Sequence, residues 1–339
     1  MPEVDPTQRR LYKYELVIPL TLHQLERAGA EFDAALAQTP DVDRYCSGLH
    51  WVVPAHRALM PPRHPWLRRS EDGFVVLAQG EHPNGWVYLQ PLEGMWGLPS
   101  PLAGPDPAVL ARQLRAHSRP GYDWDVLLIG GLEEGSAALA AVADEFNTAH
   151  AVRVGYPCNR NLCSIAGGVD AYLGRRPRKF RQNLRRSDAR CREAGIAWER
   201  ADSGDPLALY ARIQAVEGGS WKGKGGVGID SGDMHDFYAL MITRLGVTGR
   251  LRVLFARHDG RDAGYLLGGV AHGIFRGLQF SYREEFRPLG LGNAAQVEMM
   301  RWLEACDPET HTYDLGTQMR YKQRWGERTL TTLTLVVSR

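Results

Sequence analysis

The chain has 339 residues, 44% of them hydrophobic, with 41 Lys and Arg against 39 Asp and Glu and a net charge of +2. That length and apolar content bury a large core and suit two domains, while the near balance of charge excludes a bulk polyanion binder or an acidic-tail protein. Five scattered cysteines without CxxC or Cys/His spacing exclude a disulfide scaffold and a zinc module, and the lack of a basic-then-apolar leader or a run of ~18 apolar residues points to a soluble cytoplasmic protein.

In chain order, the pattern predicts a strand over 11–18 and a helix over 22–36. Residues 54–65, rich in Pro, His and Arg, read as an irregular surface segment. A hairpin follows, Phe74-Val-Val-Leu-Ala78 and Trp86-Val-Tyr-Leu-Gln90 around Asn84-Gly85. After the Pro-rich segment 99–107 come a helix (108–117), a strand (124–129), a helix (136–147) and a strand near Val152. Trp96 and the aromatics of 122–124 read as core or rim residues.

The second half opens on a basic helix over 176–193, then a short strand (196–199), a helix (206–216) and the loop Gly218-Gly-Ser-Trp-Lys-Gly-Lys-Gly-Gly226. A helix over 234–245 leads to a hairpin, 251–256 and 263–267, turning at Asp259-Gly260. The stretch 273–306 is the centre of the chain. Phe275, Leu278, Phe280 and Tyr282 mark a half-buried strand, and Val297, Met300 and Leu303 mark one helix face, with Asn293 and Gln296 at capping-box spacing. Between them lies Arg287-x-x-Gly290-x-Gly292. Two glycines let backbone approach a ligand, and the helix behind them aims free N–H groups and a positive dipole end at it. This is a pyrophosphate cradle built from Arg287, Leu289, Gly290, Leu291, Gly292 and Asn293. A strand (312–315), a short helical piece (319–325) and a last strand (330–337) close the chain.

The halves read as distant repeats: each runs hairpin, long loop, amphipathic helix, then a strand bearing Tyr-Asp (Tyr122-Asp123 and Tyr313-Asp314). The first has Gly94-Met-Trp-Gly97-Leu-Pro99 in place of the cradle, and Pro99 is expected to disturb a helix start there. The expectation is one active and one structural half.

The glycine loop between strand and helix resembles the acyl-CoA loop of the GNAT acyltransferase superfamily. With Lys179-Phe-Arg-Gln-Asn-Leu-Arg-Arg186, Ser220-Trp-Lys222, Gln279-Phe-Ser-Tyr282, Tyr313-Asp-Leu-Gly316 and Tyr321-Lys-Gln-Arg-Trp-Gly326, about 40–339 resembles the tandem-GNAT proteins of the FemAB and CelD-like branch. The resemblance implies an α/β (α+β) fold of two tandem GNAT-like domains, 1–170 degenerate and 171–339 active. Each would be a mixed, largely antiparallel sheet flanked by helices, with the strand over 330–337 packing back on the first domain. It implies transfer of an acyl group from acyl-CoA, or from the acyl-phosphopantetheine of a carrier protein, to an amine, without a metal. Two alternatives stand beside it: FemAB-like transfer from aminoacyl-tRNA, and a non-catalytic CoA- or carrier-binding subunit.

Amine attack on a thioester needs a lost proton, a stabilised oxyanion and a reprotonated thiolate. The resemblance places Tyr321 as the acid, its alternative being a core tyrosine. Lys322 would neutralise a phosphate or the oxyanion, or form a surface ion pair. Asp314 would hold the amine or accept its proton, or cap the following helix. Trp221, Lys222, Gln279, Ser281 and Tyr282 are the expected substrate-binding residues. The arginines of 175–192 are a solvated face or a site for the CoA 3′-phosphate, a carrier or tRNA.

Overall fold

A computed structural model describes residues 16–59, 61–202, 204–225, 228–229 and 231–339. The first stretch gives β1 (Ile18–Leu20), α1 (Leu22–Arg27), α2 (Gly29–Gln38), α3 (Arg44–Ser47), α4 (Leu49–Ala58), β2 (His64–Ser70), β3 (Gly73–Glu81), β4 (Val87–Pro91) and β5 (Leu102–Ala103). It continues with α5 (Pro107–His117), β6 (Val126–Glu133), α6 (Ala137–Asn147), β7 (Ala151–Val154) and β8 (Cys158–Ser164). The second gives α7 (Gly168–Gly174), α8 (Arg178–Glu193), β9 (Ala197–Ala201), α9 (Pro206–Glu217), α10 (Trp221–Lys224), α11 (Gly232–Val247), β10 (Leu251–His258), β11 (Arg261–Ala271) and β12 (Ile274–Tyr282). A 3-10 turn (Glu284–Leu289), α12 (Leu291–Cys306), β13 (Thr312–Thr317), a second 3-10 turn (Lys322–Arg324) and β14 (Arg328–Ser338) complete it.

Most predicted elements are present within a few residues of their expected ends, because their caps and periodicities are local. Ser136 accepts a hydrogen bond from the Leu139 N–H at the start of α6, and Asp205 accepts one from Leu207 at the start of α9. Two expectations are corrected and a third is not reached. The stretch 54–65 is not irregular: α4 runs through Pro54, with residues 49–55 all buried, and β2 starts at His64. Burial against α11 holds α4 helical despite the lost proline N–H. Most of the strand expected over 11–18 falls outside the described residues. Tyr122-Asp123 lies in a turn before β6, so it is not the counterpart of Tyr313-Asp314 inside β13.

The strands join in one continuous sheet, ordered β1-β2-β3-β4-β6-β14-β8-β13-β12-β11-β10-β9. Its two ends follow the same plan. In each an antiparallel run ends in a short parallel pair, β4 with β6 and β12 with β13. Beyond each pair the next strand comes from the other half of the chain: β14 lies against β6, and β8 lies against β13. β8 and β14 then pair with each other in the middle. β14 is thus hydrogen-bonded to β6 and β8, and β8 in turn to β13.

Strand alternation sends residues to opposite faces. Phe74, Val76, Val253, Phe255, Tyr265 and Leu267 enter an inner core with α2, α4, α9 and α11 that draws on both halves. Their neighbours face outward, Val75 and Leu77 beneath α5 and α6, Leu254 and Leu266 beneath α7, α8 and α12. The sheet is sandwiched on both faces, which leaves its parallel junctions as the places where strands part.

Candidate active site

β12 and β13 pair only through Ile274, Phe275 and Arg276 against Thr312, Tyr313 and Asp314. Past Arg276 they diverge, since β13 stays with β8 while β12 follows β11. A bulge opposite Leu267 and Gly268 inserts Leu278 as an extra residue. The N–H of Arg283 donates to Ala263 at 2.9 Å, and the period of two then turns the main-chain groups of Ser281 and Gln279 toward β11. Those of Phe280 and Tyr282 face the open side. The wedge is a cleft of about 680 Å³, with unpaired strand edge along one wall.

The cradle opens into this cleft. Gly290 has φ 72° and ψ 37°, a left-handed conformation that glycine adopts without strain, and it is the residue before α12, which carries no side-chain cap. The first-turn N–H groups of a helix have no intrahelical partner; that of Asn293 bonds back to Gly290, and those of Leu291 and Gly292 are left at the cleft. Arg287, Gly290, Leu291, Gly292 and Asn293 all line it, whereas Leu289 does not. The Asn293–Gln296 capping box is not formed, because α12 starts three residues earlier than that spacing implies. Asn293 Nδ2 donates instead to Ser187 Oγ at 3.2 Å, and Gln296 Oε1 accepts from the Tyr313 hydroxyl. A Cβ on Gly292 would lie 3.0 Å from the Phe280 ring, so this glycine serves the packing of helix on strand.

Two lysines enter from opposite arms. Lys222, on α10, donates to Gln279 Oε1 and to the Phe280 carbonyl, both at 2.9 Å. Burial lowers its pKa, with Glu217 opposing. Lys322 lies beside β13, its Nζ 3.3 Å from where a Cβ of Gly316 would be, and has no ion pair among the described residues. Burial, then Arg276 and, more weakly, Lys222 bring its pKa down to about 8, against the pull of Asp314. The surface ion pair considered for it is absent among the described residues. Tyr321 is 55% exposed at the cleft, so it is no core tyrosine; partial burial raises its pKa. Gln279, Ser281 and Tyr282 also line the cleft. Trp221 opens α10, but its side chain lies outside the described residues.

Asp314 is placed differently from expectation. It is 1% exposed, absent from the cleft lining, and caps no helix. Its Oδ2 is 2.6 Å from both Arg160 Nη1 and Arg276 Nη1, its Oδ1 accepts from the Gly316 N–H, and Arg160 Nη1 is 2.7 Å from Asp43. Burial pushes its carboxyl up, but Arg276 and Arg160 outweigh that and hold it below the usual carboxylate range. Asp43, Arg160, Arg276 and Asp314 thus form a buried quartet of two carboxyl groups and two guanidiniums. It seals the apex of the wedge rather than working in it. Sequence reasoning missed Arg160, Asp43 and Glu217; Arg276, a charge inside an apolar strand, was the one visible sign.

α8, ~24 Å long for 16 residues, packs on α12 and reaches cleft-lining residues at its two ends. Near its start Phe180 packs on Trp325, ring centroids 5.1 Å apart; near its end Arg190 and Ser187 lie beside Gly290. Arg178, Lys179, Arg185, Arg186 and Arg190 are exposed without an ion pair among the described residues.

Residues 178–323 match the family model described as an acetyltransferase (GNAT) domain. No curated protein matches the chain. Among solved structures it is similar to FemX, at TM-score 0.65 and 13% identity over 94% of this chain and 96% of that one. It is also similar to L-PGS from Bacillus licheniformis, at 0.57 and 11%, covering 91% of each chain. A third is the C-terminal domain of a putative lysylphosphatidylglycerol synthetase from Agrobacterium fabrum, at 0.56 and 13%, again over 91% of each. Residues 178–323 are thus similar to a GNAT acetyltransferase domain, and the chain has the FemX-type fold, a mixed and largely antiparallel sheet flanked by helices. Among the described residues, no helix is long and apolar enough to cross a membrane, and no three His, Cys, Asp or Glu side chains cluster as metal ligands.

Proposed function

We propose that the protein is an N-acyltransferase that moves an acyl group from a thioester, acyl-CoA or the acyl-phosphopantetheine of a carrier protein, to an amine. The observation that carries this reading is the wedge itself: the parting of β12 from β13 and the uncapped start of α12 open on one cleft. Phosphate oxygens would take the N–H groups of Leu291 and Gly292 with Arg287 outside them, and an extended arm would run beside the free edge of β12 at Tyr282, leaving the Phe280 carbonyl uncovered. The thioester carbonyl then falls near the bulge at Leu278 and the Lys322 ammonium.

The step balances without another reactant. The neutral amine attacks the carbonyl carbon, forming C–N; the oxyanion is faced by Lys322; the C–S bond breaks, Tyr321 protonates the leaving thiolate, and the amine proton passes to solvent, which reprotonates Tyr321. Asp314, sealed by two guanidiniums, takes no part in the proton transfers and acts by holding Arg276 against the apex.

Calorimetric titration of CoA, followed by thiol release from acyl-CoA with an amine present, tests the reading. One CoA per chain and amine-dependent thiol release are expected; a folded protein that binds no CoA overturns the CoA-donor form, and failure with acyl-carrier protein as well removes the thioester. The unpaired arginine face along α8 favours a second reading, transfer from aminoacyl-tRNA. Salt-sensitive tRNA binding without CoA binding would select it.

A further inference from the structure

Lys222 occupies a particular place in the cleft. The Phe280 carbonyl belongs to the open edge of β12, and Gln279 Oε1 is aimed beside it because Gln279 Nε2 donates to the Tyr238 hydroxyl at 3.2 Å. Tyr238 is fixed in turn, being buried between α11 and the sheet. Two acceptors therefore converge 2.9 Å from one ammonium, inside the lining that also holds the cradle. No carboxylate is within ion-pair reach of that ammonium among the described residues. A primary amine on an alkyl stem is what this pair of acceptors selects. When its nitrogen donates to both, its lone pair is free to point elsewhere, as attack on a carbonyl requires.

Lys222 also arrives in a way that permits exchange. It sits on a four-residue helix with Gly218, Gly219, Gly223 and Gly225 around it, so little regular structure is lost when it withdraws. Glu217, fully buried with Oε1 unpartnered and Oε2 accepting from Tyr265 at 2.8 Å, opposes the effect of burial on the Lys222 pKa.

We propose that Gln279 Oε1 and the Phe280 carbonyl form the acceptor-amine subsite, that Lys222 fills it as an internal surrogate in the absence of substrate, and that the acceptor is an unhindered primary alkylamine, such as a lysine side chain or polyamine end. This rests on the acyl-transfer reading of the same cleft. Burial of Lys222 lowers its pKa, and an acceptor amine in that place feels the same desolvation, which favours the neutral nucleophile.

The test uses n-butylamine as the probe, titrated by calorimetry into the full chain saturated with CoA. Replacing Lys222 by Met removes the surrogate and is expected to tighten butylamine binding at least tenfold; adding Gln279→Leu should abolish that gain. Were Lys222 instead a catalytic or bracing group, Lys222→Met would leave amine affinity unchanged or weaken it, and either result overturns the proposal, as does absence of binding to both proteins. Lys222→Gln, which retains a donor for the Phe280 carbonyl without charge, repeats the measurement if the Met variant is unstable, with at least a threefold gain expected and no gain counting against. CoA binding is read first and separately, so loss of the acceptor inference leaves the donor cleft standing, and failure of CoA binding removes the reading beneath both.

Discussion

The two parallel junctions of the sheet share a topology and differ in what lies between their strands. At β12 and β13 the wedge is a cleft; at β4 and β6 the chain fills it with itself. The connection leaving β4 buries Leu98, Pro99 and Ser100 against β6 so closely that a Cβ on Gly131 would meet their backbone at 2.4 Å. The helix starts differ in the same sense. α5 begins at Pro107, which has no N–H, and Asp106 takes the N–H groups of Ala108 and Val109 with its own carboxylate. α12 begins after Gly290 with neither device. Pro99 is thus not the residue that spoils the first half's helix start, which comes later; Asp106 and Pro107 do so by supplying the anion from within. One fold yields a cleft or a plug, and the helix start at the plug has a side-chain cap while the one at the cleft has none.

The largest effect is expected where the two junctions are tied together. Arg160→Met leaves Asp43 without its guanidinium and Asp314 with only Arg276, and breaking a buried pair in this way costs about 3–5 kcal/mol. Chemical denaturation should show that loss; a change below about 1 kcal/mol would mean the quartet does not hold the halves together.

Next comes the open junction itself. Gly292→Glu puts a carboxylate at the uncapped helix start and presses on Phe280, and loss of two or three hydrogen bonds to charged oxygens at ~1.5–3 kcal/mol each should weaken CoA binding at least about a hundredfold. Gly292 lies in the helix without positive φ, so the thermal melt should fall by only about 1–2 kcal/mol, from displacement of the Phe280 ring. Equal CoA affinity in a folded variant would place the phosphate elsewhere.

Lys322 gives a smaller effect with a pH signature. If its cation faces the oxyanion, turnover should fall as pH rises through about 8, Lys322→Arg should move that limb upward, and Lys322→Met should lower kcat roughly tenfold to a hundredfold. Stability should run the other way. Folded Lys322 is held below its unfolded value, so between about 8 and the ordinary lysine range the unfolded chain binds more protons and the fold gains stability as pH rises. A limb near 8 that persists unchanged in Lys322→Met belongs to another group.

The smallest effect is the control in the closed junction. Gly97, at φ 64° beside Thr334, occupies the position that the repeat reading aligned with the cradle. Gly97→Asp should cost about 1 kcal/mol of stability for the left-handed backbone and leave CoA affinity within about twofold. A tenfold loss of affinity would show that the filled wedge takes part in donor binding.

By itself the sequence determined the elements whose signals are local. The glycine loop, the strand before it and the helix behind it follow from 273–306, and the two hairpins from their own turns, because turn chemistry and amphipathic period act within a few residues. Most of the cleft lining followed as well: Arg287, Gly290, Leu291, Gly292, Asn293, Lys222, Gln279, Ser281, Tyr282, Tyr321 and Lys322 meet there. Only the tertiary structure decided the rest. β8, Cys158-Asn-Arg-Asn-Leu-Cys-Ser164, has no apolar alternation, since Arg160 finds Asp43 and Asp314, and Asn159 finds Thr331, far along the chain. A strand whose polar groups are satisfied by distant partners leaves no periodic trace. The same long-range pairing moved Asp314 from the site into the core: a carboxylate's role depends on which charges surround it, and both guanidiniums beside this one come from other strands.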